Sequence, residues 1–499
     1  MITFLSVSLL LSVNESLIQA NEKEELQVNE ALSAMKKASD YMAETVSYNG
    51  GYLWAYKEDF SEVFGEVPAR KSQIWVQAGT PQMGQTYLEM YEVTGDETYL
   101  KYAKNAADAL VYGQHHLGGW HYFIDFDKPG LNKWYEEVAS QFKRGWEEFR
   151  YYYGNCTFDD NVTQGATDFL LDLYVKTHDP TYLQPLLKAL DFILMAQYPN
   201  GAWPQRYPLR YDYASDTGLP DYTSHYTLND DAMNDIIKVL LKAYEVLGHE
   251  VYLEAALRGG EFFMIAQGPQ EIPAWSEQYD RNMQPAWART HEPPAYATRQ
   301  TAHTLEMLMQ LYLFTGDRRY LRPIPATLGW IASSTLDVLD NGLHELARYY
   351  EPETRLPIDL LVLDELSPMG KVRYHYFPND EQPFPGRRQT VNYQQLKKDF
   401  EFVSNLKPGE ERYWYYQWYR EPESPDKPDF ERIRQLISEI NENGIWIEDI
   451  SVHDTSVTMN PDPAYMTDPD FKKMIRGISL RTYMNNMKTF MDYIIHNTN

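Results

Sequence analysis

Four stretches of the chain read almost alike: YEVTGDETYL (Tyr91–Leu100), YVKTHDPTYL (Tyr174–Leu183), YEVLGHEVYL (Tyr244–Leu253) and YLFTGDRRYL (Tyr312–Leu321). Their first tyrosines are 83, 70 and 68 residues apart. Each stretch lies between segments with apolar residues at helical spacing, such as LQPLLKALDFILMAQ and YLEAALRGGEFFMIAQ. The Gly/His–Asp centre is a helix stop followed by a turn. The repeating unit is therefore a helical hairpin whose turn Tyr and Leu pack under both helices. An aromatic, Gly/Pro-rich loop follows each second helix: HHLGGWHYFIDFD, YPNGAWPQRYPLR and GPQEIPAWSEQYD. Repeated hairpins with long loops at one end imply an all-α fold, an (α/α) toroid or incomplete barrel. An open solenoid uses the same unit. The toroid is expected because the aromatic loops all fall on one rim, where they build a cleft.

Composition narrows the partners. The 499 residues are 43 % hydrophobic and 14 % aromatic, ample for a large core and for rings that stack on sugars. A formal charge of −27 argues against nucleic acid and anionic lipid surfaces. An acidic polysaccharide would meet the same repulsion unless its site were locally basic or held a cation. Cys156 is the sole cysteine, which excludes an internal disulfide and a cysteine zinc cluster. The first 20 residues, with an apolar run from Ile2 to Val13 and a small Ala20, resemble a secretory signal, although the usual basic start is missing. A secreted or periplasmic protein is expected. No later run is apolar for the roughly 20 residues of a membrane span. Residues 21–499 are expected to form one toroid: an extra repeat (21–150), a core (about 150–420) and a helical extension (421–499) that completes the ring or caps its open edge.

Two helix starts stand out. FDDNVTQGATDFLLDLY begins at Phe158 and LNDDAMNDIIKVLLKAY at Leu228. Asp160 and Asp230 each precede the turn tyrosine by fourteen residues, so they occupy equivalent positions of successive hairpins. Both are expected at the N-terminus of an inner helix, beside the long loops. The same count from Tyr91 and Tyr312 gives Gln77 and Thr298, so packing of the repeat does not require an acid there. Helix capping is the plain alternative. Capping needs one residue, whereas each cluster supplies three: Asp159, Asp160, Asn161 and Asn229, Asp230, Asp231.

AQYPNGAWPQRYPLR, SHYTLNDDAM, the acidic–Asn–Ala–Thr helix start at Phe158, AWSEQYDRNMQPAWARTHEPPAY and LARYYEPETRLPI occur in an order that resembles the family-ten pectate lyases. YWYYQWY follows more loosely. The resemblance covers about residues 150 to 360 and weakens to about 420. It implies a calcium-assisted polysaccharide lyase with an α/α toroid. Asp160 and Asp230 fall on the carboxylates that hold calcium and the substrate acid group, and Arg289, in WARTHEP, falls on the arginine that abstracts the proton. His225 matches a histidine near the site, and Arg348 and Arg355 match basic positions that meet further acidic sugars. The chain departs from the family after EPP, in an insert between RYPL and SHYT, and at the late Gly–Arg–Asp motif, to which Arg373 is nearest.

The residues fit β-elimination. Removing the C5 proton of a uronate leaves charge beside a carboxylate, and a divalent cation stabilises that charge. Calcium takes hard oxygen ligands, which Asp160 and Asp230, with Asp231 or Asn161 nearby, supply. An arginine base needs strong desolvation or cationic neighbours. A charged Arg289 would clamp the carboxylate instead and leave His225 or Tyr226 to take the proton. Trp203, Arg206, Tyr207, Asn229 and Arg299 complete the candidate substrate contacts, with a loop-pinning Trp203 as the alternative. His115, His116 and His121 lie one repeat earlier without a carboxylate set near in sequence. The expected partner is an acidic polysaccharide or oligosaccharide, pectate-like or ulvan-type. A uronate-oligosaccharide dehydratase, an unsaturated uronyl hydrolase and a non-catalytic sugar-binding protein are the competing functions.

Overall fold

A computed structural model describes residues 25–139, 154–209, 222–288, 292–363, 372–376, 388–420, 428–453 and 472–498. The amino-terminal segment read as a signal lies outside them. The helices, in chain order, are α1 (25–41), α2 (Thr80–Thr94), α3 (Glu97–Gly113), α4 (Leu131–Ala139), α5 (Val162–Thr177), α6 (Pro180–Ala196), α7 (Ala232–Leu247) and α8 (Glu250–Ala266). They continue as α9 (Thr298–Thr315), α10 (Ile324–Ser334), α11 (Tyr393–Ser404), α12 (Glu411–Arg420), α13 (Phe430–Ser438) and α14 (Leu480–Thr498).

The repeated decapeptide makes the turn of each hairpin. Gly95, His178, Gly248 and Gly316 are left-handed, with φ of 70°, 49°, 72° and 73°. Their N–H groups close on the carbonyls of Tyr91, Tyr174, Tyr244 and Tyr312. The next residue then caps the second helix. Asp96, Asp179 and Asp317 accept from the backbone N–H two residues on, while His249 makes no such bond. The second tyrosines, Tyr99, Tyr182, Tyr252 and Tyr320, are buried in the turns.

The first helices of the hairpins form the inner ring. α2 packs on α5, α5 on α7, and α7 on α9. At the ends α12 packs on α9, and α14 returns to pack on α2. The fold is an all-α toroid or incomplete barrel of helical hairpins. Ser39 of α1 shares a buried 2.7 Å hydrogen bond with Tyr483 of α14, which fastens the two chain ends together.

Short antiparallel strands, not foreseen from sequence, build the rim. Gln73–Trp75 pairs with Phe123–Asp125, Cys156–Thr157 with Arg206–Tyr207, Tyr226–Thr227 with Gln278–Tyr279, and Tyr296–Ala297 with Tyr349–Tyr350. Each pair lays the loop after an outer helix beside the entry to the inner helix of the same hairpin. Trp120, Trp203 and Trp275 fix these loops. All three are fully buried, and each indole N–H donates at 2.8 Å to an outer-helix carbonyl, of Leu110, Ile193 and Phe263. A five-stranded sheet joins Glu448–His453 and Lys472–Ser479 to Ala55–Lys57, Val63–Phe64 and Pro68–Ala69. Among the described residues no helix is long and apolar enough to cross a membrane.

Candidate active site

The two acidic helix starts have the same backbone. Asp160 and Asn161 are left-handed at φ 47° and 57°, and Asp230 and Asp231 at 48° and 59°. Left-handed residues other than glycine cost free energy, and a pair of them in each of two repeats signals a constraint beyond helix initiation. Neither Asn161 nor Asp231, the residues at the N-cap positions, makes a side-chain cap hydrogen bond. The capping alternative therefore fails, and the kink turns the acids across the rim.

One carboxylate oxygen from each of Asp159, Asp160 and Asp230 lies within 4.8 Å of the other two. Two ligand oxygens on one calcium ion stand at most about 5 Å apart, because each bond is about 2.3–2.6 Å. The three acids thus match a hard divalent cation in both donor type and span. Neighbouring residues hold them in place. Gln77 donates to Asp160 Oδ2 at 2.5 Å, and the Tyr122 hydroxyl donates to Asp159 Oδ2 at 2.6 Å.

Asp231 plays a different part from the one expected. It is absent from the triad and pairs instead with His303, whose Nδ1 is 2.6 Å from Oδ1, and with Arg299, whose Nη2 is 3.3 Å from Oδ2. Asp159 takes its place. Burial acts on the Asp231 carboxyl most and would raise its pKa, but the His303 hydrogen bond and charge, with Arg299 and Lys238, outweigh burial and hold it below the usual range. Arg299 also reaches Asp230 at 3.6 Å, so one guanidinium spans both acids of the second cluster.

Several expected substrate contacts lie elsewhere. Trp203 is fully buried and holds its loop, so its face is not offered to a sugar. Arg206 is 1 % exposed, with its guanidinium 5.2 Å from the centre of the Tyr122 ring. It supports the rim from within. Asn229 is buried beneath the kink, donating to Glu292 and accepting from Gln300, both at 3.3 Å. Tyr207 sets its ring edge-on to Phe192, and Tyr226 sets its ring against Tyr198 and Phe262, on the side of the outer helices. His225 is half-buried in the turn that precedes Tyr226. Arg348 pairs with Glu277 at 3.2 Å and lies over the Tyr349 ring, while Arg355 is exposed, 3.7 Å from Glu271. Asn161 lines a cavity of about 390 Å³ inside the ring with Asp168, Lys238 and Lys242. Arg289 lies outside the described residues, and Arg373 falls in the strand Val372–Tyr376.

Sequence reasoning missed the supports. The Glu277 carbonyl accepts from the N–H groups of Leu228 and Asn229, and its buried carboxylate accepts from the Tyr349 hydroxyl at 2.8 Å. Burial raises the Glu277 pKa, with Arg348 and Tyr349 opposing and Glu292 adding to the rise. Gln77 was the one support with a signal: it occupies, one repeat earlier, the position of Asp160 and Asp230.

Comparison with known proteins places this site in context. Residues 131–422 match the family described as pectic acid lyase. No curated protein matches the chain. Among solved structures, the family 10 polysaccharide lyase from Cellvibrio cellulosa is similar at 20 % identity over 54 % of this chain and 82 % of that one, with a TM-score of 0.39. A mutant of that lyase in complex with trigalaturonic acid is similar at 20 % identity over 55 % and 84 %, with a TM-score of 0.38. The GH76 alpha-mannanase from Bacteroides thetaiotaomicron is similar at 12 % identity over 95 % and 96 %, with a TM-score of 0.42. The family match spans more than half of the sequence and takes in Asp159, Asp160 and Asp230: the chain belongs to the pectic acid lyase family.

Proposed function

We propose that the protein is a secreted or periplasmic lyase that cleaves a uronate-containing polysaccharide by β-elimination and leaves a 4,5-unsaturated uronate end. One observation carries this reading in a member of the pectic acid lyase family: acids from two successive repeats, Asp159, Asp160 and Asp230, converge at the rim. A calcium ion held by these three would supply positive charge to the uronate carboxylate and stabilise the charge that develops on loss of the C5 proton. Gln77 and Tyr122 fix two of the acids. Arg299, already bridging Asp230 and Asp231, is a fixed positive group suited to orienting an acid substrate rather than taking a proton. The resemblance assigns proton abstraction to Arg289.

The test is a panel of uronate polymers and oligosaccharides, followed by ultraviolet absorbance of the conjugated product, with and without chelator. The expected result is a rise in absorbance that chelation removes and that Arg289→Ala abolishes. A rise that survives thorough chelation would take the metal out of the reaction. A fall in absorbance with unsaturated substrates would make the protein a hydrolase. An unsaturated product that differs from its substrate only by water would make it a dehydratase.

A further inference from the structure

The repeat that precedes the family match carries a feature the elimination does not use. Three aromatic rings meet on the rim from three separate segments. Tyr112, in the last turn of α3, stacks on Phe126 at 4.6 Å and 10°, and Tyr48 meets Phe126 edge-on at 5.6 Å. Tyr112 is 58 % exposed and Tyr48 42 % exposed. Packing accounts for Phe126 but not for two large rings left open on either side of it. All three residues precede residue 131, where the family match begins.

A cavity of about 410 Å³ opens beside this shelf, within the roughly 300–1,000 Å³ range of small-ligand sites. Tyr112, His115, His116, His121, Asp125 and Lys128 line it. Its one carboxylate is spoken for: Asp125 accepts from Arg70 at 2.7 Å, Ser72 at 2.9 Å and Gln73 at 3.1 Å. Lys128 makes no ion pair among the described residues, and Lys188 lies near enough to act on His115. In a chain of net charge −27, this cavity therefore presents uncommitted positive charge next to exposed rings. It also adjoins the acid cluster. Side chains of adjacent residues point to opposite faces of an extended segment, so His121 faces the cavity while Tyr122 bonds Asp159.

We propose that this cavity and its aromatic shelf form a second saccharide site, which holds a stretch of uronate polymer beside the acid cluster. The rings would stack on the apolar faces of sugars, and Lys128 would meet a uronate carboxylate. The identity of the sugar rests on the reading of the protein as a uronate polysaccharide lyase. The test is retardation of the full-length protein in native gels cast with polygalacturonate or with a glucuronate-containing polymer. At least one polymer should retard the wild type. Tyr112→Ala, at an exposed position, should weaken the apparent affinity about 2- to 10-fold, the worth of one aromatic contact. Lys128→Ala should weaken it and flatten its salt dependence. Neither change should alter kcat on a saturating uronate trisaccharide, because the acid cluster does not line this cavity. A wild type that no polymer retards, or variants retarded as strongly as wild type, would overturn the proposal. Retardation lost in Tyr112→Ala, in a protein that forms no unsaturated product, would sustain the second site and refute the lyase reading. Unsaturated product with unchanged retardation would do the reverse.

Discussion

Replacing Asp230 with asparagine should move stability in opposite directions with and without calcium. The Asp159, Asp160 and Asp230 oxygens lie no more than 4.8 Å apart. At an effective dielectric of about 20, each pair of charges repels by about 3.5 kcal/mol. Asp230 takes part in two such pairs. Its attraction to Arg299 at 3.6 Å offsets about 4.6 kcal/mol of that repulsion on the same basis. Asp230 is 24 % exposed, and salt screens the remainder, so Asp230→Asn should stabilise the ion-free protein by about 1–2 kcal/mol. For 499 residues, about 1 kcal/mol corresponds to about 1 °C in the melting temperature. Calcium at about a hundred times its dissociation constant adds about 2.7 kcal/mol to a protein that binds it, or about 3 °C here. The variant should therefore melt about 1–2 °C above wild type in chelator and below it in calcium. Differential scanning calorimetry reads both orders. A wild type that does not respond to calcium, or a variant that melts lower in chelator, would refute the charge cluster as a cation site.

Removing the loop anchor in Trp203→Ala should cost about 3–5 kcal/mol, read as a lowered urea midpoint, because a fully buried indole and its bond to Ile193 are lost. Gly201→Ala should abolish soluble expression: φ is +95°, and the new Cβ would sit 2.1 Å from the Arg258 carbonyl oxygen. The depressed pKa of Asp231 implies stability that is fully present above the unfolded carboxyl value of about 3.9 and is lost as pH falls through the lower folded value. His303→Ala removes the main opposing interaction and should shift acid unfolding, followed by circular dichroism, to higher pH.

The architecture was legible because its signal is local. A left-handed glycine or histidine is written in four successive decapeptides, followed in three of them by a capping aspartate, and each ends one helix and starts the next. The pairing of Asp160 with Asp230 was legible for the same reason, since equal distances from the turn tyrosines give equal depths on neighbouring helices. The rim was not. Its strands are two or three residues long, too short for an alternating pattern to show. Nor did local reasoning separate Asp159 from Asp231. Which acid joins the cluster depends on Tyr122, 37 residues before Asp159, and on His303, 72 residues after Asp231. Trp203 and Arg206 misled because an aromatic and a basic residue on a loop look alike whether they face solvent or hold the loop down.

The four left-handed residues at the acid tips set the folding of the ring against its chemistry. Glycine would sit at ease at Asp160, Asn161, Asp230 and Asp231, where the present side chains do not. A laboratory selection for heat tolerance alone would reach glycine early at Asp160 and Asp230, where the contact of Asp231 with His303 is not lost, and each step would look like an improvement. The hardier rings recovered in this way would have lost the carboxylate oxygens that converge at the rim.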